Sequence, residues 1–216
     1  MARSVLDLPR LGLTLGDPAG CGAELAIKLL ANTPFTERAR IRLFCDLPLF
    51  EQVCAKLHNI PTPSFTVLGS LEELAAVEAQ HPHAEAHYLI ADPAIALREA
   101  VPLKQATAAG GELVLRTLTM AVEAHRRGLI EGLVFMPLNK QSMHLGGLEH
   151  QDELHWFAEA LGLDDYFCEI NVLPPGDPSC PSGMWTTRVT SHIALSEVPE
   201  LVTAQRIKDA CRLAHR

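Results

Sequence analysis

The stretch Met136-Pro137-Leu138-Asn139-Lys140, followed by Gly146-Gly147 and Asp152-Glu153-Leu154-His155, carries the residue types most able to do chemistry in this chain. An apolar run (Leu129, Ile130, Leu133, Val134, Phe135) reads as a buried strand, and Pro137 ends it because proline cannot continue a central ladder. Ligands of parallel α/β sheets collect beyond the carboxyl ends of strands. Here that place offers an amide (Asn139), a lysine (Lys140), two carboxylates and a histidine. A second candidate is Gly16-Asp17-Pro18-Ala19-Gly20-Cys21-Gly22, set between a short strand (11–15) and a helix-forming run (23–31). Backbone N–H groups at such a helix start can meet an anion. The turn lacks the lysine of a phosphate loop and the GxGxxG spacing, so a plain tight turn is an equal reading. His192, in Thr190-Ser191-His192-Ile193-Ala194-Leu195, reads by itself as an ordinary histidine at a strand end.

These residues need elements to hold them. Strands are expected at 40–45, 64–68 and 88–91, with helices at 47–57 and 70–80 between them. The alternation predicts an α/β fold with a mostly parallel, doubly wound sheet. Helical spacing of Val114, Leu118, Ala121 and Val122 predicts a long packed helix over 107–125, and Gly110-Gly111 near its start allows close approach of a neighbour. Trp156-Phe157-Ala158 falls on a further helix. Strands at 166–172 and 184–190 flank a loop dense in proline and glycine, which is expected to link two neighbouring antiparallel strands, and a last helix starts at Thr203.

The 216 residues are 48% hydrophobic and 20% charged, enough to bury a real core. Formal charge is −8 and no basic stripe appears, which speaks against nucleic acid and for a small-molecule ligand. The first ten residues hold no apolar stretch long enough for a signal peptide, and no membrane span is evident, so the cytoplasm is the expected location. Six cysteines without a CxxC pair read as buried free thiols.

Gly16-Asp17-Pro18-Ala19-Gly20-Cys21-Gly22-Ala23-Glu24 resembles the GDPAGIGPE signature of the 4-hydroxythreonine-4-phosphate dehydrogenase (PdxA) family. Met136 to Lys140 resembles that family's A-P-[IVL]-[NH]-K segment, and Thr190 to Leu195 its T-[TS]-H-[IVL]-x-L segment. The resemblance implies a two-lobe fold of the isocitrate and isopropylmalate dehydrogenase type. Residues 1–130 would form the first lobe and 131–216 the start of a second, C-terminally incomplete one. It implies a homodimer that uses NAD or NADP and a divalent metal (zinc, cobalt, magnesium or manganese). The reaction implied is oxidation of the secondary hydroxyl of a phosphorylated hydroxy acid to a β-keto acid that loses CO2. His192 falls on a metal ligand, Lys140 on a catalytic position and Asn139 on a substrate contact. Asp17 and Gly20 fall on the glycine turn that shapes the cofactor side of the cleft.

Two departures shape the expectation. The family's G-H-T-E segment falls on Asp152-Glu153-Leu154-His155 without a gap, or on His150-Gln151-Asp152-Glu153 with a two-residue gap that keeps the glutamate and is preferred. Gln151, Asp152, Glu153 and His155 are therefore the candidate substrate contacts. The substrate is expected to differ from 4-phosphohydroxythreonine, as in a catabolic paralogue acting on a phospho-threonate, a phospho-erythronate or a cyclic diol acid. The family's other two metal histidines lie in N-P-H-A-G and Y-H-D-Q-G segments, which the sequence to Arg216 does not contain. The chain by itself is expected to be inactive and, with apolar surface uncovered, poorly soluble. A non-catalytic binding or dimerisation module is the alternative reading.

Overall fold

The computed structural model describes residues 8–31, 33–61, 64–82, 86–176, 178–191 and 193–215. Two compact units divide between Asp152 and Glu153. In the first, β1 (Arg10–Thr14), β2 (Arg40–Phe44), β3 (Thr66–Leu68), β4 (Tyr88–Ile90) and β5 (Gly132–Phe135) form one sheet in the order β3-β4-β2-β1-β5. Every pairing is parallel. The helices between the strands are α1 (Gly22–Leu30), α2 (Thr33–Thr36), α3 (Leu47–Lys56), α4 (Leu71–Gln80) and α5 (Ala108–Arg126). Three of them start on a side-chain cap: Asp46 accepts from Leu49 N–H, Ser70 from Glu73 N–H and Thr107 from Gly110 N–H.

β2 is buried along its whole length, and its residues alternate between two cores. Ile41 and Leu43 join Leu13, Ile27, Leu30 and Phe50 beneath α1 and α3. Phe44 joins Leu74, Ile90, Ile95, Ala121 and Ile130 beneath α4 and α5. A parallel sheet covered on both faces by crossover helices is the doubly wound arrangement that the alternation of elements predicts. Arg42 shares a face with Phe44 and is fully buried. Its Nε donates to Glu78 Oε1 at 2.7 Å, its Nη1 donates to the Ala86 carbonyl at 2.9 Å, and its guanidinium stands 4.5 Å from the centroid of the Tyr88 ring.

Two expectations, on the burial of β5 and of the cysteines, are corrected. β5 is half-buried, with Phe135 40% exposed, because it is the edge strand beside β1 rather than a central one. β5 pairs with β1 and the helix after it packs on α5, so both belong to the first compact unit. None of the six cysteines is in a disulfide, but only Cys45 is buried; Cys21 and Cys211 are exposed.

The second unit contains α7 (Glu153–Leu161), an antiparallel pair β6 (Ile170–Leu173) and β7 (Met184–Thr187), then α8 (Val198–Leu201) and α9 (Ala204–His215), which packs on β7. Between β6 and β7 the described residues 174–176 and 178–183 form the expected loop. Strand pairing begins at Ile170 rather than Tyr166. The chain ahead of it is tied by side chains instead: the Tyr166 hydroxyl donates to the Arg188 carbonyl at 2.7 Å, and Glu169 pairs with the Arg188 guanidinium. Val172 and Trp185 face one another across this pair, 52% and 64% exposed. Among the described residues, no helix is long and apolar enough to cross a membrane.

Candidate functional site at the carboxyl edge of the sheet

The two candidate stretches of the first unit meet because β1 and β5 are neighbours running the same way. Both strands deliver their loops to the same edge. Met136 N–H donates to the Thr14 carbonyl at 3.2 Å, and Asp17 N–H donates to the Pro137 carbonyl at 3.0 Å. Gly16 makes this approach possible. Its φ is +69°, and a Cβ there would stand 2.5 Å from the Pro137 oxygen and 2.7 Å from the Met136 oxygen.

Asp17 is 7% exposed, and its carboxylate turns back on its own loop, Oδ1 accepting from Ala19 N–H at 3.0 Å. Gly20 is exposed and donates its N–H to the Asp17 carbonyl. A Cβ at Gly20 would meet nothing closer than 3.5 Å, so packing does not demand glycine there. Both residues shape the turn that leads into α1.

Asn139 caps α6 (Lys140–Leu145), its Oδ1 accepting from Ser142 N–H at 3.0 Å. That oxygen is committed to the helix. Lys140 is the first residue of α6 and is exposed. The helix lies directly on the start of α5, where a Cβ on Gly111 would stand 1.8 Å from the Ser142 carbonyl oxygen. Gly146 closes on the same place, 2.3 Å from the Glu112 nitrogen by the same measure. Gly111, the second glycine of the pair, thus admits the neighbour that the sequence predicts, and this neighbour carries Asn139 and Lys140.

The stretch 150–155 straddles the two units. Gln151 is exposed and Asp152 is 4% exposed at the end of the first. Glu153 opens α7 in the second, and His155 is exposed there with its ring edge-on to Phe167 at 5.5 Å between centroids.

A cleft of about 520 Å³ opens at the same edge of the first unit, lined by Pro18, the start of α3 (Asp46, Pro48, Leu49, Gln52) and the segment 97–101. This volume suits a small polar ligand. Asp17, Gly20, Asn139 and Lys140 do not line it; Pro18 is its link to the glycine turn. Asp46 fixes two of its walls, Oδ1 accepting from Leu49 N–H at 2.7 Å and Oδ2 from Leu97 N–H at 2.8 Å. Sequence reasoning missed Asp46, although an aspartate followed by Leu47-Pro48 is a readable helix start. Cys45 beside it is no nucleophile, since burial, reinforced by the Asp46 charge, holds its thiol far above the ordinary range.

His192 lies outside the described residues. Among the described residues, no three His, Cys, Asp or Glu side chains come together as a metal site.

The model of the family described as pyridoxal phosphate biosynthetic protein PdxA matches residues 39–216. Over 208 residues the chain is 40% identical to a Pseudomonas aeruginosa protein named "Putative 4-hydroxythreonine-4-phosphate dehydrogenase 2", covering 96% of this chain and 56% of that one. It is 30% identical over 215 residues to the D-threonate 4-phosphate dehydrogenase of Bordetella bronchiseptica, covering 96% and 54%. The structure of 4-hydroxythreonine-4-phosphate dehydrogenase from Klebsiella pneumoniae aligns with a TM-score of 0.74 at 21% identity, over 95% of this chain and 58% of that one. That likeness is one of fold. The chain spans about half the length of the curated relatives it matches.

Proposed function

Because the chain belongs to the PdxA family of pyridoxal phosphate biosynthetic proteins, we propose that the protein is a dehydrogenase that oxidises the secondary hydroxyl of a small phosphorylated hydroxy acid. The observation that carries the reading is the junction of the glycine turn with the Met136–Lys140 segment, through Asp17 and Pro137, at the edge where parallel sheets bind ligands. The two-lobe fold, the homodimer and the use of NAD or NADP belong to the same proposal.

Relatives are named for two substrates, 4-hydroxythreonine 4-phosphate and D-threonate 4-phosphate. We favour a phosphorylated sugar acid of the second kind. Neither alignment of the G-H-T-E segment keeps its histidine and threonine in place, so the substrate contacts that the family resemblance assigns to those two residues are altered. In this reading Lys140, exposed at the head of α6, pairs with the phosphate or carboxylate of the substrate. Asn139 and the α5 contact hold that lysine in place. A bound nicotinamide would supply the acceptor for the hydride of the carbinol carbon, with the hydroxyl proton passing to solvent or a base, and the resulting β-keto acid would release CO2. The divalent metal of the family resemblance has no assembled site among the described residues, and no step is assigned to it.

The test is nicotinamide reduction by the whole protein purified from its native source with D-threonate 4-phosphate, with D-erythronate 4-phosphate and with 4-phosphohydroxythreonine, each with NAD or NADP and with a divalent metal. Turnover of a sugar acid in preference to 4-phosphohydroxythreonine, with kcat/KM lowered roughly tenfold or more by Lys140→Met, is the expected outcome. No turnover of any of the three would sink the reading.

A further inference from the structure

Thr14, the last residue of β1, is 1% exposed, and its hydroxyl oxygen is buried without a hydrogen-bond partner in the protein. Buried hydroxyls are normally satisfied by protein or by ordered water. Beside it lies a small cavity with about 10 Å³ of space for water centres, bordered by Thr14, Asp46 and Thr117 among apolar neighbours such as Phe44 and Leu113. That is roughly the space one water needs.

The polar neighbours have capacity to hold a water. Thr117 Oγ1 donates its proton to the Leu113 carbonyl at 2.7 Å, which leaves its lone pairs to accept. Each carboxylate oxygen of Asp46 accepts a single N–H and retains a second acceptor site. Thr14 Oγ1 can donate and accept. We propose that this cavity is the site of one structural water, bound to Thr14 Oγ1 and to Thr117 or Asp46, which joins β1, the loop after β2 and α5 beneath the Gly16 turn. The cavity shares Asp46 and Leu49 with the larger cleft, so the water sits on the floor of that cleft. The site stands on β1, the loop after β2 and α5, and is independent of the substrate reading.

Crystals of the protein diffracting well enough to show ordered solvent decide the matter. The expected result is a density peak roughly 2.6–3.2 Å from Thr14 Oγ1 in the wild type. It should persist in Thr14→Ser and vanish in Thr14→Val. A wild-type cavity without density overturns the proposal. The melting temperature gives a second reading of opposite sign. If the water is bound, Thr14→Val removes one of its partners and lowers Tm by roughly 2–4 °C. If the hydroxyl has no partner at all, valine relieves it, and an unchanged or raised Tm overturns the proposal. Should Thr14→Val fail to fold, the wild-type density decides alone.

Discussion

The Asp17 backbone N–H donates to the Pro137 carbonyl at 3.0 Å, and this one bond joins two loops that are far apart in sequence. It forms only because residue 16 has no side chain. Substituting Gly16 by alanine asks a non-glycine residue to hold φ at +69° and places a methyl 2.5 Å from the Pro137 oxygen. We expect Gly16→Ala to cost about 2–4 kcal/mol in denaturant unfolding. Gly128 is the control, with φ at +70° and nothing within 4 Å of its added Cβ, so Gly128→Ala should cost only the backbone strain, about 1 kcal/mol. Equal costs for the two variants would show that the close approach to Pro137 contributes nothing.

Arg42 and Glu78 form a buried ion pair, with side-chain exposures of 0% and 8%. Burial pulls the Arg42 pKa below its ordinary value, and Glu78 offsets part of that pull. Removing one partner strands the other. Glu78→Leu alone should therefore cost about 3–5 kcal/mol, whereas Arg42→Met with Glu78→Leu should recover most of the loss. The check is a double-mutant cycle by urea unfolding. A single-variant cost under about 1 kcal/mol would show that water reaches the guanidinium and replaces the carboxylate.

His87 accepts the Ile41 N–H through Nδ1 at 3.1 Å, a bond that requires the ring nitrogen to be unprotonated. Desolvation by burial, then the Arg42 charge, holds its pKa below the ordinary value. The unfolded chain therefore takes up a proton before the folded one does. The stability tied to neutral His87 is complete above about pH 6.5 and is lost as pH falls through the lowered folded pKa. His87→Asn keeps an acceptor oxygen near the Nδ1 position without a titrating ring. Its unfolding free energy should change less than that of the wild type below about pH 6.5; parallel curves would assign the acid response to other groups.

Element types were legible in the sequence because periodicity and caps act locally: the helix over 108–126 and all five strands of the first sheet fall within a few residues of where the pattern puts them. The Gly110-Gly111 pair announced a close neighbour, and α6 is that neighbour, meeting the chain at Gly111. What sequence could not reveal is position within the sheet. The apolar run before Pro137 reads the same for a central strand as for an edge strand, and only pairing made β5 the edge. Side chains that serve their own backbone are hidden for a related reason. Asn139 and Asp17 look like ligand contacts by type, yet each spends a side-chain oxygen on an N–H two or three residues away. Glu153 and His155 fall in the second compact unit, a division that no local pattern marks.

Asp46 uses its two oxygens on different walls of the cleft, Oδ1 on the first turn of α3 and Oδ2 on Leu97. Asparagine can do only the first task, since its remaining group is a donor facing another donor. In Asp46→Asn the Leu49 amide should keep its protection against hydrogen exchange, while the Leu97 amide exchanges roughly tenfold faster or more. Asp46→Ala should release both and cost about 1–3 kcal/mol of stability. If Leu97 stays protected in the asparagine variant, the segment 97–101 is held by its other contacts, and the cleft keeps its shape without the carboxylate. If Leu97 is released and Leu49 is not, one carboxylate sets the cleft's width, and any ligand taken up there meets a wall whose position depends on a single hydrogen bond.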